Sequence, residues 1–150
     1  MTGEIFNSFA ENTILSQSIE YDNFNDEYET SFISGVEQIK NGRSLINAAF
    51  KIRTNDLFKI NSKKDNYHFL SGLLLGEELL KIDLSKTKKI IVYANPQLGK
   101  IYTMALKYLE TNKEIICVTE KKLAKSQALG QFKIYQQSIS EKSQLSNYEV

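Results

Sequence analysis

The stretch "VYANPQLGK", Val92 to Lys100, places a small residue, an asparagine and a glutamine where a β-branched run gives way to a helical period. Beyond the carboxyl end of a strand, a following helix points its first N–H groups and its positive dipole end outward, and ligands collect there. Ala94 lets a ligand approach the backbone, Asn95 can cap the helix and hydrogen-bond a ligand, Pro96 suits the first helical position, and Gln97 adds a second amide. The same residues also make an ordinary helix start, and spacing alone leaves both readings open. In "HFLSGLLLGEELL", Gly72 and Gly76 share one helical face, each at a cost of about 1 kcal/mol against Ala. Their shared face admits another backbone or a flat ligand at a distance that any Cβ forbids. Close helix packing is the first explanation and ligand approach the second. Glu77 and Glu78 project about 100° apart, which sends one to solvent, frees the other for a polar partner and makes them a poor acid–base pair.

Other chemistry is thinly represented. His68 is the single histidine and stands near no cysteine or carboxylate cluster at ligand spacing, so a metal site is not expected. Cys117, between Ile116 and Val118 in a β-rich run, reads as inert core. No Walker-type or dinucleotide-type glycine loop, nucleophile elbow or basic-aromatic stripe is present.

The elements that position these residues fall into two styles. Over 1–84 the apolar period is helical: Ile5 to Leu15 gives a short amphipathic helix, and Phe24, Tyr28, Phe32, Val36 and Ile39 give a longer one ended by Asn41-Gly42. Ser44 caps a third helix through Leu45, Ala49 and Ile52. After the polar linker "KINSKKDN", Asp65 or Asn66 starts a fourth that carries Phe69 to Leu80. From 88 to 136 the pattern is βαβα. "KIIVYA" and "EIICVT" read as buried parallel strands at about 89–119, joined by a helix with Leu98, Ile101, Tyr102, Ala105 and Leu109 on its apolar face. The second strand leads through Thr119-Glu120-Lys121 into a last helix, Lys121 to about Gln136, which uses Leu123, Ala124, Leu129, Phe132 and Tyr135 as its apolar residues. Residues 137–150 are polar enough to predict a disordered tail. The fold class is therefore α/β, helix-rich with a small parallel sheet, and two parallel strands want more neighbours than this chain provides.

Composition sets the remaining bounds. The chain has 150 residues, 41% hydrophobic and 25% charged, which is enough for one domain with a real core. Nineteen basic against 18 acidic residues give a formal charge of +1, so no global field points to nucleic acid or an anionic membrane. A single cysteine and no signal segment suggest the cytoplasm.

Taken in order, "MTGE", Phe32 with Gly35, "FKIR" at 50–53, "LSGLLLGEEL" and "VYANPQLGKIYTMAL" resemble the C-terminal half of the 2-dehydro-3-deoxygalactonokinases, from Met1 to about Gln136. The glycine-bearing segment is the most specific piece, and Tyr102 and Ala105 support it. The resemblance implies the C-terminal lobe of an actin-like, ribonuclease-H-like sugar kinase. Such an enzyme closes two lobes on ATP and passes its γ-phosphoryl group to the 6-hydroxyl of 2-dehydro-3-deoxygalactonate.

The resemblance also assigns places to residues. It puts the nucleotide at Ala94, Asn95, Pro96 and Gln97, beside the helix of Gly72 and Gly76. Thr2, Gly3 and Glu4 fall near the interlobe cleft, and Arg53 is a structural or substrate-side cation. Two departures stand out: no glycine occupies 94–97, and Ala128-Leu129-Gly130 matches the family's terminal-helix start only loosely. The Asp-Trp-Gly phosphate loop, the acidic catalytic residue and the Gly-Thr-His turn of the family's first half do not occur in these residues. No catalytic residue is therefore expected here, and Mg²⁺ would be held mainly by an N-terminal half. Met1 then looks like a start inside an ancestral domain. The expected partners are ATP, a sugar acid and either that complementary half or a second copy, with no nucleic acid and no membrane. The rival is a degenerate, non-catalytic interaction or small-ligand module on the same fold.

Overall fold

The computed structural model describes residues 2–110, 112–118 and 120–145. The chain runs α1 (Thr2–Asn12), a short 3₁₀ turn at Ser16–Ser18, a second at Asp26–Tyr28 leading into α2 (Glu29–Lys40), α3 (Leu45–Leu57) and α4 (Lys63–Leu80). Then follow β1 (Lys89–Val92), α5 (Pro96–Leu109), β2 (Glu114–Cys117) and α6 (Glu120–Leu145). The helix-rich α/β class with a two-stranded parallel sheet is as the sequence predicts.

Local chemistry sets most boundaries. Gly42, at φ 79°, takes the left-handed position after α2, and the Ser44 side chain accepts the Asn47 N–H at 3.3 Å to open α3. The fourth helix opens earlier than at Asp65 or Asn66. Ser62 accepts the Asp65 N–H at 3.0 Å and Asp65 accepts the Ser62 N–H at 3.2 Å, a reciprocal cap that draws the end of the polar linker into α4.

Helix α4 is the centre of the molecule and serves two cores. One gathers Phe69, Leu70, Leu73 and Leu74 with Ile39 of α2, Leu15, and Ala48, Ala49 and Ile52 of α3. The other joins Leu75 and Leu79 to Phe32 and Val36 of α2, Val92 of β1, and Ile101, Ala105 and Leu106 of α5. Between the cores, α2 and α4 touch backbone to backbone. A Cβ on Gly72 would strike the Phe32 carbonyl, with that carbon 2.9 Å away, and one on Gly35 would meet the Leu73 nitrogen at 2.8 Å. Buried Asn66 fastens the outer layer by donating to the Ser18 carbonyl at 3.1 Å and the Ile52 carbonyl at 3.4 Å.

The strands differ from the sequence expectation. They pair in parallel, Lys89 with Glu114 through Val92 with Cys117, yet of their residues only Val92 is buried; Ile91 is 61% exposed and Cys117 is exposed rather than inert core. Helix α5 covers one face of the sheet, and nothing among the described residues covers Ile91. The last helix also differs. It continues to Leu145, so residues 137–145 are helical where a disordered tail was expected, and 146–150 lie outside the described residues. No glycine or proline follows Gly130 before Leu145, and Gln, Lys and Glu are good helix formers. Leu129, Phe132 and Tyr135, expected in a buried face, are 49%, 55% and 62% exposed. The side chains of 123 and 124, and residue 119 of the preceding junction, lie outside the described residues. No described helix is long and apolar enough to cross a membrane.

Candidate functional site

Where α1, α4 and the start of α5 converge, they enclose a cavity of about 700 Å³. Thr2, Gly3 and Glu4 line it from the first turn of α1, and Asn95 and Gln97 from the start of α5, although more than ninety residues separate the two groups in sequence. Asn95 accepts the Leu98 N–H at 2.9 Å, and with Pro96 at the first position it fixes the direction of α5. The segment between the two short 3₁₀ turns crosses the cavity as a strap carrying Tyr21, Asp22 and Phe24.

Glu78 joins three helices at the cavity. Thr2 Oγ1 donates to Glu78 Oε2 at 2.6 Å, and Tyr102 Oη lies 3.0 and 3.2 Å from the two carboxylate oxygens. Glu77 meanwhile faces outward and pairs with Lys81 at 3.5 Å, so the two adjacent carboxylates divide as the 100° rule predicts. Burial and the bond to Glu78 push the Tyr102 hydroxyl up to about 12. That hydroxyl keeps its hydrogen across the physiological range.

An aromatic cluster forms the opposite wall. Tyr67 meets Phe6 edge-on at 4.8 Å and Tyr21 at 5.4 Å between ring centres. His68 stacks on Tyr28 at 4.3 Å and meets Phe24 and Tyr67 edge-on. It is 2% exposed, its Nε2 has no hydrogen-bond partner, and burial holds its pKa below the usual imidazole value against the opposing pull of Asp22 and Asp65. Asp22 accepts from the Tyr28 hydroxyl at 2.8 Å and pairs with Lys64 at 3.2 Å, contacts that lower its carboxyl pKa and anchor the strap. Tyr28 responds in the opposite sense and is pushed up to about 12, chiefly by its bond to Asp22.

The remaining residues singled out from the sequence lie elsewhere. Ala94 is partly buried against the second core. Pro96 lines a separate depression of about 590 Å³ with Gly99, Lys100, Thr103 and Cys117. Gly72 and Gly76 face α2, with Val36 Cα 3.2 Å from a Cβ at position 76, so their bare face meets a helix and not the cavity. Arg53 donates to Ser18 Oγ at 3.2 Å and pairs with Asp56 at 3.6 Å, beside a third depression lined by Asn12 and Gln17.

Sequence reasoning did not assign Tyr67, Asp22 or the His68 ring to the cavity, nor Glu78 to the two hydroxyls of Thr2 and Tyr102 that line it. The one available signal was the pair Glu77-Glu78 inside a strongly apolar helix, which guarantees that one carboxylate turns inward. Among the described residues no group of three or more His, Cys, Asp or Glu side chains could hold a metal ion.

The family model for 2-keto-3-deoxy-galactonokinase matches residues 1–127 of this chain. A crystal structure of a Sinorhizobium meliloti protein assigned as a 2-dehydro-3-deoxygalactonokinase superposes with a TM-score of 0.65 at 25% sequence identity. That match covers 83% of this chain and 40% of the Sinorhizobium chain. No curated protein matches at a significant level.

Proposed function

Since the chain belongs to the 2-keto-3-deoxy-galactonokinase family, we propose that it supplies the nucleotide-side lobe of an actin-like sugar-acid kinase. The reaction it serves moves the γ-phosphoryl group of ATP to the 6-hydroxyl of 2-dehydro-3-deoxygalactonate. The observation that carries this reading is the convergence of Thr2-Gly3-Glu4 with Asn95 and Gln97 on one cavity, in a chain matched to the family over residues 1–127. The cavity fits part of a nucleotide: it has an aromatic wall, a capped helix start and a buried imidazole with an unpartnered nitrogen.

In this reading Asn95 holds the first turn of α5 toward the ligand, Gln97 and Thr2 orient it, and the Phe6–Tyr67–Tyr21 wall excludes water. Phosphoryl transfer also requires a phosphate cradle, Mg²⁺ and a base, each worth orders of magnitude in rate. The match spans 40% of the Sinorhizobium chain, and in this reading those parts come from residues outside this chain. Mg²⁺, when bound there, neutralises charge on the transferring phosphate. Nucleic acid and membrane have no place in this reading, and the cytoplasm, where ATP is abundant, is its setting.

Calorimetric titration of the 150-residue chain with ATP tests the binding role. The expected outcome is saturable binding that weakens about 10-fold in Asn95→Ala, the scale of one lost hydrogen bond. Turnover is expected only after an N-terminal half of the family is added. Binding without turnover in that mixture would favour the degenerate module, whose supporting observation is the absence of glycine at 94–97.

A further inference from the structure

Helix α3 carries apolar residues on two sides. Leu45, Ala48, Ala49 and Ile52 pack inward against the first core, while Ile46, Phe50 and Leu57 stand exposed on the outer side. Together with Arg53 these three are spaced 4, 3 and 4 residues apart, which brings all four within about 60° of one another around the helix. A surface helix ordinarily turns a charged face to water, and a helix that is apolar all round is one that something covers. Asn47 and Thr54 beside the stripe are uncharged, and the cations Arg43, Lys51 and Lys59 stand only at its margins. Phe58 and Ile60, both exposed, follow directly after the helix.

The stripe also holds a knob and a hole. Phe50 is the knob. Less than one turn further on, Arg53 lines the third depression, of about 680 Å³, together with Thr13, Gln17 and the exposed Ile14. A two-fold axis crossing α3 midway between Phe50 and Arg53 sets the Phe50 of each copy against the other copy's depression, and Ile46 against the other copy's Leu57. We propose that α3 is the interface of a homodimer, in which two copies pair antiparallel along this stripe and each Phe50 seats under the other copy's Arg53. Such a contact closes on itself, and a guanidinium over an aromatic face is attractive. Ile14, Ile46, Phe50, Leu57, Phe58 and Ile60 leave on the order of 100 Å² open each, so two copies bury about 1,200 Å², the lower end of a specific interface. A second copy fits this face better than the rest of a kinase does, because α3 packs into the first core whereas the open sheet and α5 pack into the second. The basic margins then meet like charge across the axis, so the pairing tightens as salt rises.

Sedimentation equilibrium of the 150-residue chain tests the pairing. A monomer–dimer equilibrium with a Kd of about 10 µM is expected, at least about 3-fold tighter in 0.5 M than in 0.05 M salt. Phe50→Lys should weaken it at least about 100-fold, because the new charge meets Arg53 of the other copy. Phe50→Glu offers that guanidinium the opposite sign and should lose no more than about 10-fold. Phe50 is exposed, so both variants should keep the parent's urea midpoint, and Ile91→Thr on the sheet should leave the dimer unchanged. Equal losses from the two charges overturn the antiparallel register. A dimer that ignores both Phe50 variants, or that is lost in Ile91→Thr, overturns the interface. A monomer at every concentration overturns the proposal, and cosedimentation of that monomer with phosphatidylserine vesicles would assign the basic-rimmed stripe to a membrane surface instead.

Discussion

The contact between α2 and α4 and the two-stranded sheet with α6 represent opposite ways of using apolar residues. In the first, Phe32, Val36, Leu70 and Leu73 are 0% exposed, and three glycines let the helices meet without intervening side chains. In the second, Ile91 is 61% exposed, and Phe132, Ile134 and Tyr135 stand 55–69% open along α6. Parallel strands are ordinarily covered on both faces. The α2–α4 contact is thus closed within this chain, while the strand-bearing part presents surface suited to a further layer, as does the outer side of α3, where Ile46, Phe50 and Leu57 are 57–74% exposed.

Five measurements can break or sharpen that contrast. Gly72→Ala should cost the most, about 3 kcal/mol or more in urea unfolding, because its Cβ meets the Phe32 backbone and the helices must separate. Asn66→Ala should follow at about 2 kcal/mol by the same assay, since it leaves the Ser18 and Ile52 carbonyls short of a donor inside the closed part.

The third concerns pH. His68 titrates below its unfolded value, so the unfolded chain binds the proton more readily and stability should fall as pH drops below about 6.5. The depressed carboxyl values of Asp22, Asp26 and Asp65 keep their losses below about pH 4, which leaves the interval from pH 7 to 5 to the histidine. A His68→Phe chain should show a flat midpoint there; a slope that survives in it would assign the effect elsewhere.

The open part should respond much less. Ile91→Thr is expected to stay within about 0.5 kcal/mol for the chain alone, yet to weaken binding of any complementary chain that covers the sheet. Gly130→Ala, with nothing within 4 Å of its Cβ, should give the smallest effect, a gain of a few tenths of a kcal/mol in helix content read by circular dichroism. A loss on the scale of Gly72→Ala at either position would mean that the two regions are not different in kind.

How much of this was legible beforehand follows the range of each signal. Caps and stops are local, so Ser44, Asn95-Pro96 and Asn41-Gly42 could be read directly, as could the parallel βαβ unit. The Ser62–Asp65 cap was equally local and went unread because the linker looked uniformly polar. Tertiary facts were harder. Gly72 and Gly76 announce that something comes close without saying what, and the neighbour is α2, not a ligand. Composition marks the strands as buried but does not say what would cover them; among the described residues Ile91 and Cys117 are exposed. Thr2 and Asn95 meet at one cavity only because α4 holds both α1 and α5, an arrangement that no spacing rule contains.

Because Gly35 and Gly72 let two backbones touch, no side chain cushions α2 against α4 at that point, and sliding there would drive backbone into backbone. The pair behaves as a girder, which shifts as one piece or comes apart. Adjustment during ligand entry therefore falls to what hangs from it: the strap, tied through Glu20 to the Lys63 carbonyl at 3.1 Å and through Asp22 to Lys64 at 3.2 Å, and the first turn of α1, tied through Thr2 to Glu78 at 2.6 Å. Such light moorings can swing while the beam behind them keeps the geometry of the pocket.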